Sequence, residues 1–442
     1  MSVMIEKYTQ GSKTMNYRET LEYVEEISSY GSVLGLDNII ELCKRMGNPQ
    51  DSLRFVHIAG TNGKGSTLAY ISTILKCAGM KVGRYISPTI FEYRECIQVN
   101  GRPITKDALC EGMTYIKEIC QQMVADGGTH PTRFEIETAL AFWYFLKKEC
   151  DIVVLETGMG GETDATNLIT TTEVAVLTSI AMDHMQFLGN TLSEIARKKA
   201  GILKSGCLVV ALEQVEEVAK VLCEEADKKG CKLTFSMDED IKNIRYGMEK
   251  QRFDLKNVTW KNLEIHLAGK HQIQNAALAV KAVLALCQCG YVIDEKAIRK
   301  GLAETEWEGR FSVIAKKPLF VVDGAHNEDA AQKLAQSIEF YFKDKRIIYI
   351  LGILKDKEYK KIIDLTHHYA DQIITITPPN NPRAMHAYDL AQEVAKVHPN
   401  VTAVDSLEEA VEMSRLLARK EDVILAFGSL SYLGQLISIV KK

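Results

Sequence analysis

The sequence feature that most constrains the fold is a glycine-rich turn, Gly60–Ser66, which lies between an apolar run and a helical pattern. The run Phe55–Ala59 predicts a short buried strand that ends at the turn. After the turn, apolar residues recur at helical spacing and predict a helix from near Ser66: Leu68, Ile71, Ile74 and Leu75. A strand, a glycine loop and a helix in this order present backbone N–H groups and a helix N-terminus to an anion.

The turn is predicted to bind the phosphate chain of a nucleotide. Its glycines let the backbone approach the phosphates closely, and Lys64 adds a positive charge. The spacing departs from the standard phosphate-binding loop, because two residues separate Gly60 from Gly63 and because Gly65 follows the lysine. The predicted phosphate-binding residues are Gly60, Thr61, Asn62, Gly63, Lys64, Gly65 and Ser66.

Predicted strands and helices alternate beyond the turn, which favours an α/β fold with a mostly parallel sheet covered on both faces. The first set has strands at 55–59, 82–86, 151–156, 173–180 and 207–212, and helices at 106–125, 132–148, 191–200 and up to about 229. Residues 1–50 are predicted to be mostly helical. Residues 232–268 change to short polar–apolar alternation, which predicts a small antiparallel appendage.

A second α/β alternation follows two further helical patterns at 271–288 and 294–304. Its strands are predicted at 319–323, 346–351, 372–377, 401–404 and 423–427. A chain of 442 residues is too long for one ordinary hydrophobic core. We therefore predict two domains, residues 1–303 and 304–442, with a linker at 304–309.

Composition and charge exclude several classes of protein. A net charge of −4 gives no reason to expect nucleic acid or an anionic membrane as a partner. No apolar run has the length of a membrane-spanning helix, and the polar segment Met1–Tyr17 does not resemble a signal peptide. The 11 cysteines include no C-x-x-C pair, which indicates reduced thiols rather than zinc sites or disulfides. We therefore expect a cytoplasmic protein.

Polar side chains follow the predicted strands of the first domain, at the carboxyl ends where open parallel sheets bind ligands. Such positions are Ser87, Glu156 with Asp164–Asn167 beyond it, and Asp183-His184. One strand-end carboxylate is more often a cap or an ion-pair partner, but several beside a phosphate loop favour a Mg²⁺ site. Because imidazole is a less usual Mg²⁺ ligand, His184 is either a direct ligand or an orienting group behind one.

The second domain repeats this arrangement in Phe320–Asn327, a strand that runs into a polar turn. Asp323 and His326 would face the first domain's loops if the strand ends of the two domains meet. The alternative for His326 is a buried structural role. Arg310, just past the linker, is placed to hold a phosphate, although a linker arginine is commonly exposed to solvent.

Several ordered motifs resemble the folylpolyglutamate synthase and dihydrofolate synthase family of Mur-type, ATP-dependent amide ligases. The resemblance runs from about residue 17 to the C-terminus. The motifs are AGTNGKGS (59–66), SPTIFEYRECIQVNG (87–101), TRFEIETALAF (132–142), ETGMGGETDATN (156–167), DHMQFLGNTLSEIARKKAGILK (183–204), HQIQNAALA (271–279), DGAHN (323–327) and FGSLSYLG (427–434). The resemblance implies a P-loop ATPase-type N-terminal domain and a Rossmann-like C-terminal domain.

The resemblance also implies a set of catalytic and ligand-binding residues. Lys64 and the loop glycines would hold the phosphates of ATP, and Ser87, Glu156 and His184 would bind two Mg²⁺ ions. Lys199 matches a lysine that is carbamylated in the family, which would make it an anionic metal ligand or an orienting group. From the pattern alone, Lys199 is either part of a solvated face or a cation placed favourably near a helix C-terminus. Four residues match positions that, in the family, contact ATP from the second domain: Asn275, Arg310, Asp323 and His326.

Three departures from the family pattern concern the acceptor substrate. The family commonly has histidine where this chain has Thr89, and Glu-Arg-Ile where this chain has Arg94–Cys96. It also commonly reads Gly-Gly-Arg where this chain has glutamate at position 162. Replacing an arginine by Glu162 reverses a local charge at a loop that faces an anionic substrate, so these departures bear on the acceptor and not on the ATP and metal positions.

We therefore expect an ATP- and Mg²⁺-dependent ligase that adds L-glutamate to the carboxylate of a folate, of dihydropteroate, or of both, through an acyl phosphate. One alternative is a Mur-type ligase with a nucleotide-linked muramyl acceptor. Only about 50 residues precede the glycine turn, so no extra nucleotide-sugar domain is evident there, which argues against this alternative. The other is an ATP-binding module without ligase activity, which would not require Glu156, His184 and Lys199. The expected partners are small molecules, with no nucleic acid or membrane, and the expected form is a monomer.

Overall fold

The structure is a computed structural model that describes residues 13–31, 35–256, 258 and 260–442. The chain folds into two compact units. The first unit is Met1–Ile180, His184–Asp238 and Ala277–Gly301, and the second is Ala181–Asp183, Glu239–Ala276 and Leu302–Lys442. Among the described residues, no helix combines the length and the apolar character needed to cross a bilayer.

An eight-stranded sheet forms the centre of the first unit. Its strands are β1 Phe55–Ala59, β2 Val82–Tyr85, β3 Ile97–Val99, β4 Arg102–Pro103, β5 Ile152–Glu156, β6 Thr172–Leu177, β7 Leu208–Leu212 and β8 Lys232–Ser236. Their spatial order is β4-β3-β2-β5-β1-β6-β7-β8. The strands from β2 to β8 in this order are parallel, whereas β3 and β4 form an antiparallel edge. The loops that follow β1, β2, β5 and β6 therefore leave the sheet at one edge.

Helices accompany this sheet. They are α1 Tyr17–Ser28, α2 Asp37–Arg45, α3 Lys64–Cys77, α4 Lys106–Ala125, α5 Arg133–Lys147, α6 Met185–Leu188, α7 Leu192–Ala200 and α8 Glu216–Lys228. The residues of α9 His271–Gln288 and α10 Glu295–Glu304 are divided between the two units. α3 packs against β1, β2 and β5, and every residue of β1 and β5 is buried, as expected for central strands of a covered parallel sheet.

The second unit contains two sheets. A three-stranded antiparallel sheet is formed by β9 Ile241–Arg245, β10 Gln251–Leu255 and β11 Leu263–Ile265. A six-stranded sheet is formed by β12 Ser312–Lys316, β13 Leu319–Val322, β14 Ile347–Leu351, β15 Gln372–Thr375, β16 Val401–Ala403 and β17 Val423–Phe427. Its spatial order is β12-β13-β17-β14-β15-β16, and all neighbours are parallel except β12 with β13. The remaining helices are α11 Glu328–Tyr341, α12 Tyr359–Thr366, α13 Ala387–Ala395, α14 Leu407–Leu417 and α15 Leu433–Val440.

The predicted elements agree with the structure to within a few residues, with two differences. Residues 232–236, predicted in the antiparallel appendage, form the parallel edge strand β8 of the large sheet. Burial alternates along this strand because one face of the sheet is exposed at this edge. Alternation alone does not show which sheet a strand joins. The strands β3, β4 and β12 were not predicted. In the predicted helical stretch 1–50 and in the appendage, residues 1–12, 32–34, 257 and 259 lie outside the described residues.

The appendage sheet belongs to the second unit and not to the unit of the large parallel sheet. Side chains of the appendage contact the rest of the second unit. The Tyr341 hydroxyl donates to Gln251 Oε1 at 3.2 Å, and Lys316 Nζ lies 3.1 Å from Glu249 Oε1. The domain boundary between residues 303 and 304 stays a prediction.

Candidate active site

The glycine turn of the first unit has a backbone that only small residues permit. Gly60 has a φ of 153°, and a Cβ atom placed on it would lie 1.8 Å from Thr178 Oγ1. Gly63, with a φ of 88°, is the N-cap of α3, so no side chain caps the first turn of that helix. The Thr61 amide donates to the Ser179 carbonyl at 2.7 Å, which fixes the turn to the segment after β6. This geometry presents the N-terminus of a buried helix to an anion.

Two lysines from different helices contact the Gly60 carbonyl. Lys64, the first residue of α3, donates from Nζ to the carbonyls of Gly60 and Thr61, both at 3.2 Å. Lys199, near the end of α7, is buried and donates from Nζ to Gly60 at 2.8 Å. The start of α7 is fixed by a capping box between Thr191 and Glu194. The fold therefore brings Lys199 to the glycine turn, for which the residue pattern gave no argument.

The predicted metal ligands Ser87 and Glu156 follow neighbouring strands. β2 pairs with β5 in the register Tyr85↔Leu155, and Ile58 of β1 pairs with Glu156. Glu156 is only 5% exposed and lies at the end of β5, beside the strand that enters the glycine turn. Ser87 follows β2 at that same edge and is half-buried. Hydroxyl and carboxylate oxygens are donors that suit Mg²⁺.

His184 is placed differently from the other predicted ligands. It is exposed, has a φ of 50°, and precedes the short helix α6. Within the described part of the chain, no group of three or more His, Cys, Asp and Glu side chains is arranged to hold a metal ion. The predicted set contains only Glu156 and His184 of these types, so a site here would depend also on Ser87, Lys199 and the phosphates. The metal roles stay predictions.

Glu162, one of the departures from the family pattern, forms an ion pair with Lys198. The Lys198 Nζ lies 2.6 Å from Glu162 Oε2, and both side chains are about half exposed. The backbone is fixed as well, since the Glu162 amide donates to the Lys198 carbonyl at 2.8 Å. The pair cancels the charge of the lysine next to Lys199. An arginine at position 162 would instead add a second positive charge there.

Asp164 organises the loop that follows β5. Its Oδ1 accepts from the Thr166 hydroxyl at 2.6 Å and from the Thr166 amide at 3.0 Å, and its Oδ2 accepts from the Met159 amide at 2.8 Å. Burial raises the pKa of Asp164, and these hydrogen bonds oppose that shift. His57 Nε2, on β1, lies 2.9 Å from Thr166 Oγ1. His57 was not among the predicted site residues, although a histidine inside an otherwise apolar strand was a signal in the sequence.

In the second unit, Asp323 and Arg310 lie close together. Asp323 is buried and accepts from the amides of Phe311 and Ala325, both at 2.8 Å. Burial raises the pKa of Asp323, whereas the positive charge of Arg310 opposes the shift. A Cβ atom on Gly324 would lie 2.9 Å from Arg310 Nη1, so the absence of a side chain there leaves room for the guanidinium.

His326 and Asn275 lie in the same unit. His326 Nδ1 contacts the Gly324 carbonyl at 2.8 Å. Burial, together with the charge of Lys357, lowers the pKa of His326 to about 4, so the ring is neutral near pH 7. Asn275 is buried on α9, where its Nδ2 donates to Gln272 Oε1 at 3.1 Å. The ATP contacts of these residues stay predictions.

Asp183, a strand-end carboxylate to which no ligand role was assigned, lies beside His326. Asp183 accepts from Lys357 Nζ at 2.8 Å and from Asn327 Nδ2 at 2.9 Å, and its Oδ2 is 4.0 Å from His326 Nε2. Lys357 and Asp183 are both nearly buried. The strand-end pattern indicated Asp183, but Lys357 lies 174 residues further along the chain, in a charged segment that carries no periodic signal.

Comparison with known proteins gives matches along most of the chain. The family model for the Mur ligase middle domain matches residues 58–283, and the model for the Mur ligase, glutamate ligase domain matches residues 309–430. A folylpolyglutamate synthase of Lacticaseibacillus casei is 35% identical over 84% of this chain and 87% of its own length. A dihydrofolate synthase/folylpolyglutamate synthase of Bacillus subtilis is 33% identical over 95% of this chain and 98% of its own length.

Solved structures give the same result. Mycobacterium tuberculosis folylpolyglutamate synthase complexed with ADP and AMPPCP matches with a TM-score of 0.88 and 28% identity, over 97% of this chain and 99% of its own length. Escherichia coli FolC in complex with DHPP and ADP matches with a TM-score of 0.84 and 30% identity, over 96% and 98% of the two chains. These matches confirm the predicted α/β fold class, with its mostly parallel large sheet and its antiparallel sheet. The chain therefore belongs to the folylpolyglutamate synthase and dihydrofolate synthase family of Mur ligases, which are ATP-dependent ligases.

Proposed function

We propose that this ligase adds L-glutamate to the carboxylate of a folate, of dihydropteroate, or of both, in an ATP- and Mg²⁺-dependent reaction that passes through an acyl phosphate. The observation that carries the proposal is the convergence of Lys64 and Lys199 on the carbonyl of Gly60, at the uncapped N-terminus of α3. The family membership supports the substrate class, because the relatives are named for folylpolyglutamate and dihydrofolate synthesis.

The residues of the glycine turn would bind and orient the phosphates of ATP. The backbone N–H groups at the start of α3 and the cation of Lys64 stabilise negative charge on the phosphoryl group that is transferred to the acceptor carboxylate. Lys64 and Lys199 both contact the turn itself, which holds the two side chains near the place where the phosphates would bind. The turn is therefore the part of the chain that we expect to contribute most to catalysis.

Ser87, Glu156 and His184 would hold Mg²⁺, with Glu156 able to serve two ions. Bound Mg²⁺ would neutralise part of the charge on the phosphates and orient them. Glu156 is favoured as a ligand because it is buried at the end of β5, beside the strand that enters the glycine turn, and a bound cation stabilises a buried carboxylate. The proposal includes Lys199 as a carbamate, since a carbamate N–H could still donate to Gly60 while its oxygens face a cation.

The proposal also assigns Asn275, Arg310, Asp323 and His326 of the second unit to contacts with ATP. Arg310 supplies a positive charge, and buried Asp323 holds the local backbone through two amide hydrogen bonds. Neutral His326 supplies a ring nitrogen that can accept or donate a hydrogen bond. Family resemblance is the support for these four assignments.

A coupled assay of phosphate release tests the proposal. The purified chain is given ATP, Mg²⁺ and L-glutamate with one acceptor at a time: dihydropteroate, dihydrofolate, tetrahydrofolate or a nucleotide-linked muramyl acid. We expect glutamate-dependent release with at least one pterin acceptor and no release with the muramyl acid. Lys64→Ala should lower that release roughly a hundredfold, as expected when a group that stabilises transition-state charge is lost.

The matched control is Lys76→Ala, which removes an exposed lysine near the end of the same helix and should leave the rate unchanged. Phosphate release with the muramyl acid, but with none of the pterin acceptors, would show that the acceptor is not a folate. Full activity of Lys64→Ala would remove the glycine turn from the mechanism.

A further inference from the structure

His57 is a polar residue inside the most buried strand of the first unit. It lies on β1, two residues before the strand ends at Ala59, between Leu155 of β5 and Ala175 of β6 in the sheet register. Its side chain is completely buried, and its Nδ1 has no hydrogen-bond partner among the described residues. A buried nitrogen without a hydrogen bond lowers the stability of the folded protein. An apolar side chain at this position would therefore give a more stable protein, unless the hydrogen bond of the other ring nitrogen offsets this cost.

The protonation state of the ring follows from its neighbours. Burial, with a further contribution from the charge of Lys204, lowers the pKa of His57 to about 3, so the ring is neutral near pH 7. The single hydroxyl hydrogen of Thr166 is used in the 2.6 Å hydrogen bond to Asp164. Thr166 Oγ1 must therefore accept at its 2.9 Å contact with His57, and the neutral ring carries its hydrogen on Nε2.

The hydrogen bonds continue from Thr166 into the loop 157–167, which follows Glu156. Asp164 accepts from Thr166 on one oxygen and from the Met159 amide on the other, so it ties the two halves of this loop together. The loop is also attached to α7, because Asn167 Nδ2 donates to the Gly201 carbonyl at 3.2 Å and the Glu162 amide donates to Lys198. The strand that enters the glycine turn is thus linked by side chains to the loop that leaves the neighbouring strand.

We propose that His57 is a positioning residue for the acceptor substrate, which acts through Thr166 and Asp164 to hold the loop 157–167 in its binding conformation. The inference rests on the proposed function and on the expectation, stated above for Glu162, that this loop faces the acceptor substrate. His57, Thr166 and Asp164 together are named the β1 relay. The relay fixes the acceptor loop relative to the strand that carries the phosphate turn, so its loss affects acceptor binding more than ATP binding.

The test compares variants that keep or remove each hydrogen bond. Thr166→Val and His57→Leu remove a link, whereas Thr166→Ser and His57→Gln keep a hydroxyl or an N–H donor in place. We expect the first two to raise the KM for the acceptor about tenfold, the scale of one lost buried hydrogen bond, with the KM for ATP changed less than about twofold. The two conservative variants should restore most of the acceptor affinity. A loss of folded protein alone would lower the apparent kcat and leave both KM values in place.

Thr172→Val is the matched control, since Thr172 is buried on β6 and its hydroxyl has no hydrogen-bond partner among the described residues. Hydrogen exchange supplies a readout that does not need turnover. We expect the Met159 amide, which Asp164 holds, to exchange faster in Thr166→Val than in the wild type or in Thr172→Val.

Unchanged acceptor KM and unchanged Met159 exchange in Thr166→Val would overturn the relay while leaving the glutamate-ligase proposal standing. Absence of glutamate-dependent turnover in the wild type would overturn the ligase proposal instead. In that case, faster Met159 exchange would still support the loop-holding part of the relay, and unchanged exchange would reject it.

Discussion

At the scale of single residues, Lys199 illustrates how a buried amine acquires a task from its position. It lies near the end of α7, and its Nζ donates to the carbonyl of Gly60. The neighbouring Lys198 is half exposed and paired with Glu162. Two adjacent lysines thus have different environments, and only one of them reaches the glycine turn.

We predict that Lys199→Ala lowers glutamate-dependent phosphate release roughly a hundredfold, because a group beside the transferring phosphoryl would be lost. If Lys199 acts as a carbamate, added short-chain carboxylic acids should restore part of the activity by supplying the missing carboxylate. The measurement is phosphate release with and without acetate or propionate, in bicarbonate-free buffer. Lys198→Ala is the matched control and should retain the wild-type rate. Wild-type activity in Lys199→Ala would exclude both roles for the residue.

A second prediction concerns the pH dependence of stability. The pKa of His57 falls from its ordinary value near 6.5 to about 3 in the folded chain. Between these values the unfolded chain binds a proton that the folded chain does not, so lowering the pH below about 6.5 favours unfolding. Asp164 acts in the opposite direction, because burial raises its pKa and the folded chain then binds the extra proton.

Replacing His57 by glutamine removes the proton that the unfolded chain binds at this position, and it keeps the N–H donor. The free energy of unfolding from urea titrations should therefore fall less steeply between pH 7 and pH 5 in His57→Gln than in the wild type. The slopes should differ by up to about 1.4 kcal/mol per pH unit, the value for one linked proton. Equal slopes would show that His57 takes up a proton while folded.

At the scale of elements, the junction of β1, the glycine turn and α3 tolerates no side chain at Gly60. We predict that Gly60→Ala abolishes the binding of a non-hydrolysable ATP analogue, because the added carbon would lie 1.8 Å from Thr178 Oγ1 and the backbone φ is 153°. Isothermal titration calorimetry measures the binding. Gly79→Ala is the control, since its φ is 89° but nothing lies within 4 Å of the added carbon. Binding by Gly60→Ala equal to that of Gly79→Ala would contradict the packing argument.

At the scale of the whole molecule, ligand binding should appear as added stability. An ATP analogue with Mg²⁺ at about 100 times its Kd should stabilise the folded chain by about 2.7 kcal/mol. Differential scanning calorimetry would record this as a rise in Tm. In Glu156→Gln, the Mg²⁺ concentration that gives half of the rise should increase sharply, because a buried carboxylate ligand is replaced by a neutral amide. An identical Mg²⁺ titration in the two proteins would remove Glu156 from the metal ligands.

Most of the fold followed from local patterns. The strand β1 and the helix α4 have the bounds that periodicity predicted, 55–59 and 106–125. The five strands predicted after residue 315 are β13 to β17. The assignment of residues 232–236 to the appendage was wrong, because the pairing partner of an edge strand is decided by distant strands and not by its own alternation.

The candidate site likewise contains residues that local patterns predicted and residues that they did not. The glycine turn, Ser87 and Glu156 were found because each directly follows an apolar run, and a parallel sheet gathers such positions at one edge. Lys199, by contrast, entered only through a family resemblance. Lys357 and His57 were not assigned at all, since their contacts join residues that no periodic pattern relates. Asp164 and Thr166 were indicated only as polar residues that follow a strand, without their link to His57.

By itself, the sequence determined the order of strands, helices and glycine turn, because turn geometry and side-chain period are set by residues a few positions apart. Only the tertiary structure decided which side chains meet. The contact of Lys199 with Gly60 spans 139 residues, and that of His57 with Thr166 spans 109. The physical reason is that such contacts form only when the sheet order β5-β1-β6 brings distant segments to one edge, and that order depends on the packing of the whole unit.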